Sequence, residues 1–202
     1  MARRFQRFSV MAIGFAAMSL LAPPVDAQTS TVQVPRVRYA DPTIRQLLEE
    51  GVRRSPTFQR LVDTIQASDG IVYVDVGSCG SVFVHGCLLH WLVVSGGVRF
   101  LRVRVSLRGR SCEAVIASIA HELQHATEVL ADPSVTKASN IRALFERIGV
   151  PSKKGDGDFE TLAARDAGLR VEKEYAEATS SNARQDASAR RSRSNDSGLE
   201  CN

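Results

Sequence analysis

Residues 111–133 read Ser-Cys-Glu-Ala-Val-Ile-Ala-Ser-Ile-Ala-His-Glu-Leu-Gln-His-Ala-Thr-Glu-Val-Leu-Ala-Asp-Pro, and this stretch decides the fold. It holds no Gly, its one Pro is the last residue, and it is rich in Ala, Leu, Ile and Glu. Such a composition predicts a helix over residues 112–130, capped by Ser111 and ended by Asp132-Pro133. Ile116, Ile119, Ala120, Leu123, Thr127 and Leu130 fall on one stripe at helical spacing. Ala114, Ser118, His121, His125 and Glu128 fall on another, roughly opposite. A helix of this kind is expected to be buried on both sides.

Its centre, His121-Glu122-Leu123-Gln124-His125, is an H-E-x-x-H sequence. On a helix, positions i and i+4 lie one turn apart on one face, so two imidazoles can offer a nitrogen each to one metal ion. Zinc takes neutral histidine nitrogens at about 2.0–2.1 Å. Glu122 stands beside the pair as a general base for a zinc-activated water. Two core histidines with Glu122 in an ion pair are the bland alternative.

A catalytic zinc takes about three protein ligands and keeps one position open. No third histidine follows at the spacing of an extended H-E-x-x-H motif: Ala131 stands there. The remaining ligand is therefore expected from a carboxylate, and Glu160 is the first candidate, at the start of a later helix with the small Ala163 and Ala164 after it. Glu128, one turn beyond His125, is the other candidate, and its place suits a role of holding an imidazole from behind. Glu172, Glu174 and Glu177 lie too far along the same helix to share a site with Glu160 and are expected on a solvated face.

Working toward the N-terminus, Val98–Leu107, Leu88–Val94 and Ile71–Val76 read as strands, with Ser95-Gly96-Gly97 as a hairpin turn. In the last strand Val98, Phe100, Arg102, Arg104 and Ser106 share one face, and Arg99, Leu101, Val103, Val105 and Leu107 the other. His85 and His90, in this sheet region, read as structural, and Arg102 and Arg104 as solvated strand residues. Val82-Phe83-Val84 is expected to pair briefly. Asp41-Pro42 and Ser55-Pro56 each open a helix, with Ile44, Leu47 and Leu48, and then Phe58, Leu61, Val62 and Ile65, as apolar faces. Beyond the motif, helices are expected over 134–148 and 159–178, the second capped by Asp158, with a charged loop at 153–158 between them. The fold class is therefore α+β: a small antiparallel sheet packed on a central H-E-x-x-H helix with further helices.

The ends are different in kind. Residues 1–27 resemble a secretory leader: Arg3, Arg4 and Arg7, an apolar run over 10–22, then Val25-Asp26-Ala27 as a cleavage site. The apolar run is shorter than the roughly 20 residues of a membrane span. No later segment reads as one. The expected organisation is a leader over 1–27, one domain over 28–178 and a polar, disordered tail over 179–202. The formal charge of +4 loses three arginines and one aspartate with the leader, leaving about +2, too little to argue for nucleic acid. Cys79, Cys87, Cys112 and Cys201 make an even count that suits disulfides in an exported, periplasmic or extracellular protein. A local Cys79–Cys87 bridge is the first expectation, which leaves Cys112 to pair with Cys201.

These residues resemble the zincin metallopeptidases, in the gluzincin arrangement of H-E-x-x-H with a downstream Glu. The fuller pattern of residues 121–129, Ile148-Gly149 and Phe159-Glu160-Thr161-x-Ala163 is similar to small secreted bacterial zincin-like proteins, over about residues 71–176. The resemblance implies a peptide or protein substrate, paired in extended form along a strand beside the cleft, a place that Val98–Leu107 fits. The chain departs from the family in lacking its usual second catalytic domain and the Asn-Glu-x-x-x-Asp form of the downstream helix. The expected function is a zinc-dependent hydrolase, most simply a peptidase. The alternatives are a non-catalytic envelope or secreted binding protein with a structural metal site, and an interaction module working through the basic tail at Arg190–Arg193.

Overall fold

The computed structural model describes residues 35–80, 83–151 and 159–189. Residues 1–34, on which the expected leader falls, residues 81–82, the loop 152–158 with Asp158, the Arg190–Arg193 cluster and Cys201 lie outside the described residues, so the expectations that fall on them are not addressed.

The fold is α+β, as its pattern of elements predicts. Strand β1 (Val37–Tyr39) leads into helices α1 (Pro42–Arg54) and α2 (Pro56–Gln66). Strands β2 (Gly70–Val76), β3 (Gly86–Ser95) and β4 (Val98–Val105) precede the motif helix α3 (Cys112–Ala131). Helix α4 (Ala138–Ile148), the short strands β5 (Val150–Pro151) and β6 (Phe159–Glu160), and helix α5 (Leu162–Ala189) complete it. The helix starts follow the sequence signals. Asp41 accepts from the Thr43 N–H, Ser55 from Phe58 and Ser111 from Ala114, and Pro occupies the first turn of α1 and α2.

The sheet is mixed rather than antiparallel throughout, with order β1-β2-β4-β3. Only the β3–β4 hairpin is antiparallel; β4 inserts between β3 and β2 and runs parallel to β2, as β1 does. Burial explains the order. Leu101, Val103 and Val105 of β4 are wholly buried, so this strand gains most from a neighbour on each side. Trp91, Val93 and Val94 of β3 are exposed, which suits an edge. Gly96 and Gly97 have φ of 59° and 76°, the left-handed backbone that a tight hairpin turn requires.

The β3–β4 register slips between Leu88 and Leu92, so residues 89–91 bulge opposite Arg102. Helix α3 packs against β2, β3 and β4 of the sheet and against helices α2 and α5. Val115, Ile116, Ile119, Leu123 and Val129 are wholly buried along it, each large side chain contributing about 1.5–3 kcal/mol.

One buried charge fixes the far end of α3. Arg99, on the otherwise apolar row of β4, donates to the carbonyls of Val129, Leu130, Asp132 and Val135 and pairs with the Asp69 carboxylate. It thereby satisfies carbonyls that the last turn of a helix leaves open. The opposite end of the chain also departs from expectation. Helix α5 begins at Leu162, three residues later than predicted, and runs on past Ala178 to Ala189. Glu174 is not a solvated residue: it accepts from Ser55 Oγ, Thr57 Oγ1 and the Thr57 N–H, and so ties α5 to the start of α2.

Cys79 and Cys87 form the expected local disulfide, with Cα atoms 5.9 Å apart. Phe83 and Val84 lie in the loop before β3 and belong to no strand. No helix among the described residues is long and apolar enough to cross a membrane.

Candidate metal centre

His121 and His125 project from the middle of α3 toward the loop that enters α5. Their rings stand 4.9 Å apart, edge to face. The Glu160 carboxylate reaches both: Oε2 lies 3.3 Å from His121 Nε2 and Oε1 lies 3.4 Å from His125 Nε2. One donor atom from each of the three residues fits within 4.8 Å of the others, and no second such group of His, Cys, Asp or Glu occurs among the described residues. Glu160 is delivered by β6, not by the first turn of a helix. Val150 pairs with Glu160 and Pro151 with Phe159, which pins the residue before α5 begins.

Glu128 occupies the supporting place. Its Oε2 hydrogen-bonds His125 Nδ1 at 3.0 Å, and Nε2 is aimed at Glu160. The rest of the support comes from Thr161, which the sequence shows only as part of the Phe159-Glu160-Thr161 pattern, with no role of its own. Its hydroxyl donates to Glu128 Oε1 at 2.8 Å, its backbone N–H donates to Glu160 Oε1 at 2.9 Å, and its Oγ1 accepts from the Ala164 N–H at 3.1 Å. One side chain thus caps α5, braces Glu128 and sits beside the carboxylate of Glu160. The available signal was Thr followed three residues later by an Ala-rich helix start, the pattern of an N-cap. Phe145 of α4 closes the remaining side of His125, its ring centroid 5.0 Å away.

Close packing sets the histidines' height above α5. Ala164 and Ala167 are buried and Ala163 is exposed. A Cβ on Gly168 would stand 3.3 Å from the Ala117 carbonyl oxygen and 3.5 Å from His121 Cβ, so Gly168 allows α5 to lie this near the motif.

The Glu122 carboxylate lies against the edge strand. It is buried, and the Leu88 backbone hydrogen-bonds to its carboxylate. A Cβ on Gly86 would fall 2.9 Å from Glu122 Oε1, so only Gly leaves that carboxylate its place. The strand beside the site is therefore β3, and not Val98–Leu107, because β4 is interior to the sheet.

The electrostatics follow from this crowding. Burial pushes the Glu122 carboxyl up, against the pull of His121 and His125. Burial opposes the charge of His125 too, but hydrogen bonds to Glu128 and Glu160 outweigh it and raise its pKa to about 9. Glu160 is held down at about 2: burial resists its charge, and its bonds to His121 and His125 win.

A cleft of about 720 Å³ opens over these groups. His121, Glu122, His125 and Glu160 line its floor, residues 84–90 one wall, and Phe145, Phe159 and Leu169 the apolar part of the other. His85 and His90 reach this cleft but belong to no metal-ligand grouping among the described residues. Arg102 pairs with Asp75 and stacks on Trp91, away from the site. Comparison with known proteins gives no matching family model, no matching curated protein and no matching solved structure.

Proposed function

We propose that the chain is a zinc-dependent hydrolase acting on peptides, with His121, His125 and Glu160 as the protein's zinc ligands and Glu122 as general base. The observation that carries the reading is the division of labour among the carboxylates. Glu160 faces both imidazole Nε2 atoms, whereas the carboxylate of Glu122, from the same turn as the histidines, is held at the strand wall by the Leu88 backbone and stands outside the His121–His125–Glu160 grouping. A purely structural site has no use for a second, buried carboxylate placed beside an open cleft.

The donor set suits the ion. Two imidazole nitrogens and one carboxylate match the composition of catalytic zinc sites, and the Glu128 bond to Nδ1 supplies the usual brace. Zinc held there would polarise a carbonyl and acidify a water. The remaining chemistry belongs to the chain. Glu122, its pKa raised by burial, accepts the proton of the attacking water and returns it to the leaving amine. The Leu88 N–H and Gly86 hold that carboxylate against the wall. The outer edge of β3 offers unpaired backbone groups along which an extended peptide can align.

The resemblance to gluzincins supports the same reading, as do the Cys79–Cys87 bridge and the leader-like N-terminus for a protein exported to the periplasm or beyond. A non-catalytic binding protein is the second reading, favoured if the metal shell proves closed.

Two measurements test the proposal. Zinc content of Glu160→Ala and Glu128→Ala should separate ligand from brace, with Glu160→Ala losing the ion and Glu128→Ala holding it more weakly. Zinc-loaded protein should cleave members of an unbiased peptide library, lose that activity to a chelator and regain it with zinc. Full zinc occupancy in Glu160→Ala would remove Glu160 from the shell.

A further inference from the structure

Three arginines, Arg110, Arg142 and Arg165, line the cleft over the metal centre. Their situations differ. Arg142 is neutralised by Glu146 on its own helix, at 2.9 Å. Arg165 is exposed on α5, and its side chain has no hydrogen-bond or ion-pair partner among the described residues. Arg110 is half-buried at the entry to α3 and is fixed in place: its Nη1 donates to Ser118 Oγ at 2.7 Å, and Ser118 in turn donates to the Ala114 carbonyl at 3.0 Å. Its one hydrogen-bond partner among the described residues is thus neutral. No carboxylate stands within ion-pair distance of Arg110 among the described residues, although Glu172 acts on it from farther off. By contrast, Arg99 pairs with Asp69, Arg102 with Asp75 and Arg147 with Asp132.

The anchor of Arg110 sets its distance from the chemistry. Ser118 precedes His121 by one turn on the same face of α3, so their Cβ atoms lie about 5–6 Å apart. A guanidinium offers five N–H donors in a planar fork, and Ser118 uses one of them. An extended peptide advances about 3.3 Å per residue. A bond held at the histidines therefore brings a group one or two residues away in the chain within reach of that fork. The group that matches it is a carboxylate, bound through two parallel hydrogen bonds.

We infer that Arg110, fixed by Ser118, is the carboxylate-binding subsite of this cleft, and that the substrate is a peptide carrying a carboxylate one or two residues from the scissile bond. The inference rests on the hydrolase reading for the word substrate, but not for the binding itself. Two sources share the chemistry, a free C-terminus and an Asp or Glu side chain. Arg165, on the facing helix, adds positive potential without setting the geometry.

The test uses zinc-loaded full chain and fluorescent peptides in four forms: free C-terminus, C-terminal amide, internal Asp, and internal Asn in its place. Binding is read by anisotropy on Glu122→Gln protein, so that it does not depend on turnover, and cleavage is read on the wild type. The carboxylate forms should bind at least about tenfold tighter than their neutral partners. Arg110→Gln should remove that preference while leaving the neutral peptides within about twofold, and Arg110→Lys should restore only part of it. A preference for the free C-terminus over its amide assigns an end-directed site; a preference for Asp over Asn assigns an internal one. Thermal unfolding of Arg110→Gln guards against a folding defect, and Ser118→Ala, which frees the guanidinium without removing it, should weaken the preference by a smaller factor. Equal binding of carboxylate and neutral peptides, or an equal loss of both in Arg110→Gln, would overturn the subsite. Arg110-dependent binding without any cleavage by the wild type would instead leave the subsite standing and refute the hydrolase.

Discussion

Replacing Thr161 by Val keeps the shape of the side chain and removes its hydroxyl. Two losses of stability can be worked from the contacts. The Ala164 N–H at the start of α5 loses its cap, which costs about 1 kcal/mol. Glu128 loses a donor at 2.8 Å to a charged carboxylate, worth about 1.5–3 kcal/mol. Thr161 is 4% exposed, so water does not readily replace the bond. Together these predict a loss of about 2–4 kcal/mol of stability. The backbone N–H that Thr161 gives to Glu160 survives, so the ligand carboxylate stays in place.

Glu128, now braced among the described residues only by Gln124 at 3.4 Å and by His125 itself, orients the imidazole less firmly. Loss of such a supporting contact lowers metal affinity about 10–100-fold, and the lower end is expected here because Glu128 remains. Urea unfolding of metal-free protein reads the first quantity, and competition with a zinc chelator reads the second. Thr161→Ser should recover most of both. If Thr161→Val matched the wild type in stability and in zinc affinity, the chain of contacts from α5 through Glu128 to His125 would carry no weight in the site.

Other outcomes follow from the same coordinates. Arg99→Met leaves the Asp69 carboxylate and the terminal carbonyls of α3 without their donor and should cost about 3–5 kcal/mol in urea unfolding; a loss below about 1 kcal/mol would show that the buried network is dispensable. Gly86→Ala should fold and bind zinc normally but turn over at least about tenfold more slowly, because the added Cβ displaces the Glu122 carboxylate, and an unchanged kcat would count against Glu122 as base. Zinc uptake near pH 7 should release close to one proton, since His125 with a pKa of about 9 is charged in the metal-free protein and must be neutral to ligate. Calorimetry in buffers of different ionisation enthalpy measures that proton, and zinc affinity should rise with pH until about 9.

In the metal-free protein the signs of the two shifts run in opposite directions. The raised pKa of His125 stabilises the fold fully below about 6.5 and loses that contribution as pH rises through 9. The lowered pKa of Glu160 stabilises above about 4.5 and loses its contribution as pH falls toward 2.

The motif helix was legible because its signals are local. An uninterrupted run of helix formers, a Ser cap and an i, i+4 histidine pair leave one reading of α3, and the Asp41-Pro42 and Ser55-Pro56 starts are equally local. Long-range pairing was not. Alternation tells which residues of β4 share a face, but it does not say that β4 enters between β2 and β3, so an antiparallel meander was the natural expectation. Alternation places Arg99 as one more member of an apolar row; its partners are carbonyls thirty or more residues ahead, which no periodicity reports. Glu160 was found as a candidate for its charge and setting, yet its backbone is a strand because β5 is there to pair with it. Residues after Ala178 lack an apolar stripe, but no Pro interrupts them, and the helix begun by packing against α1 and α2 continues through them.

The central claim concerns Glu122, and one comparison meets it most directly. Zinc content and peptide turnover are measured together on wild type and Glu122→Gln. The substitution keeps size and hydrogen-bonding shape while removing the ability to take a proton, and Glu122 is not among the residues that face Glu160. The account predicts about one zinc per chain in both proteins, an unchanged fold, and turnover reduced by about 10²–10⁴-fold in the variant. Zinc-dependent cleavage that persists undiminished in Glu122→Gln would contradict it.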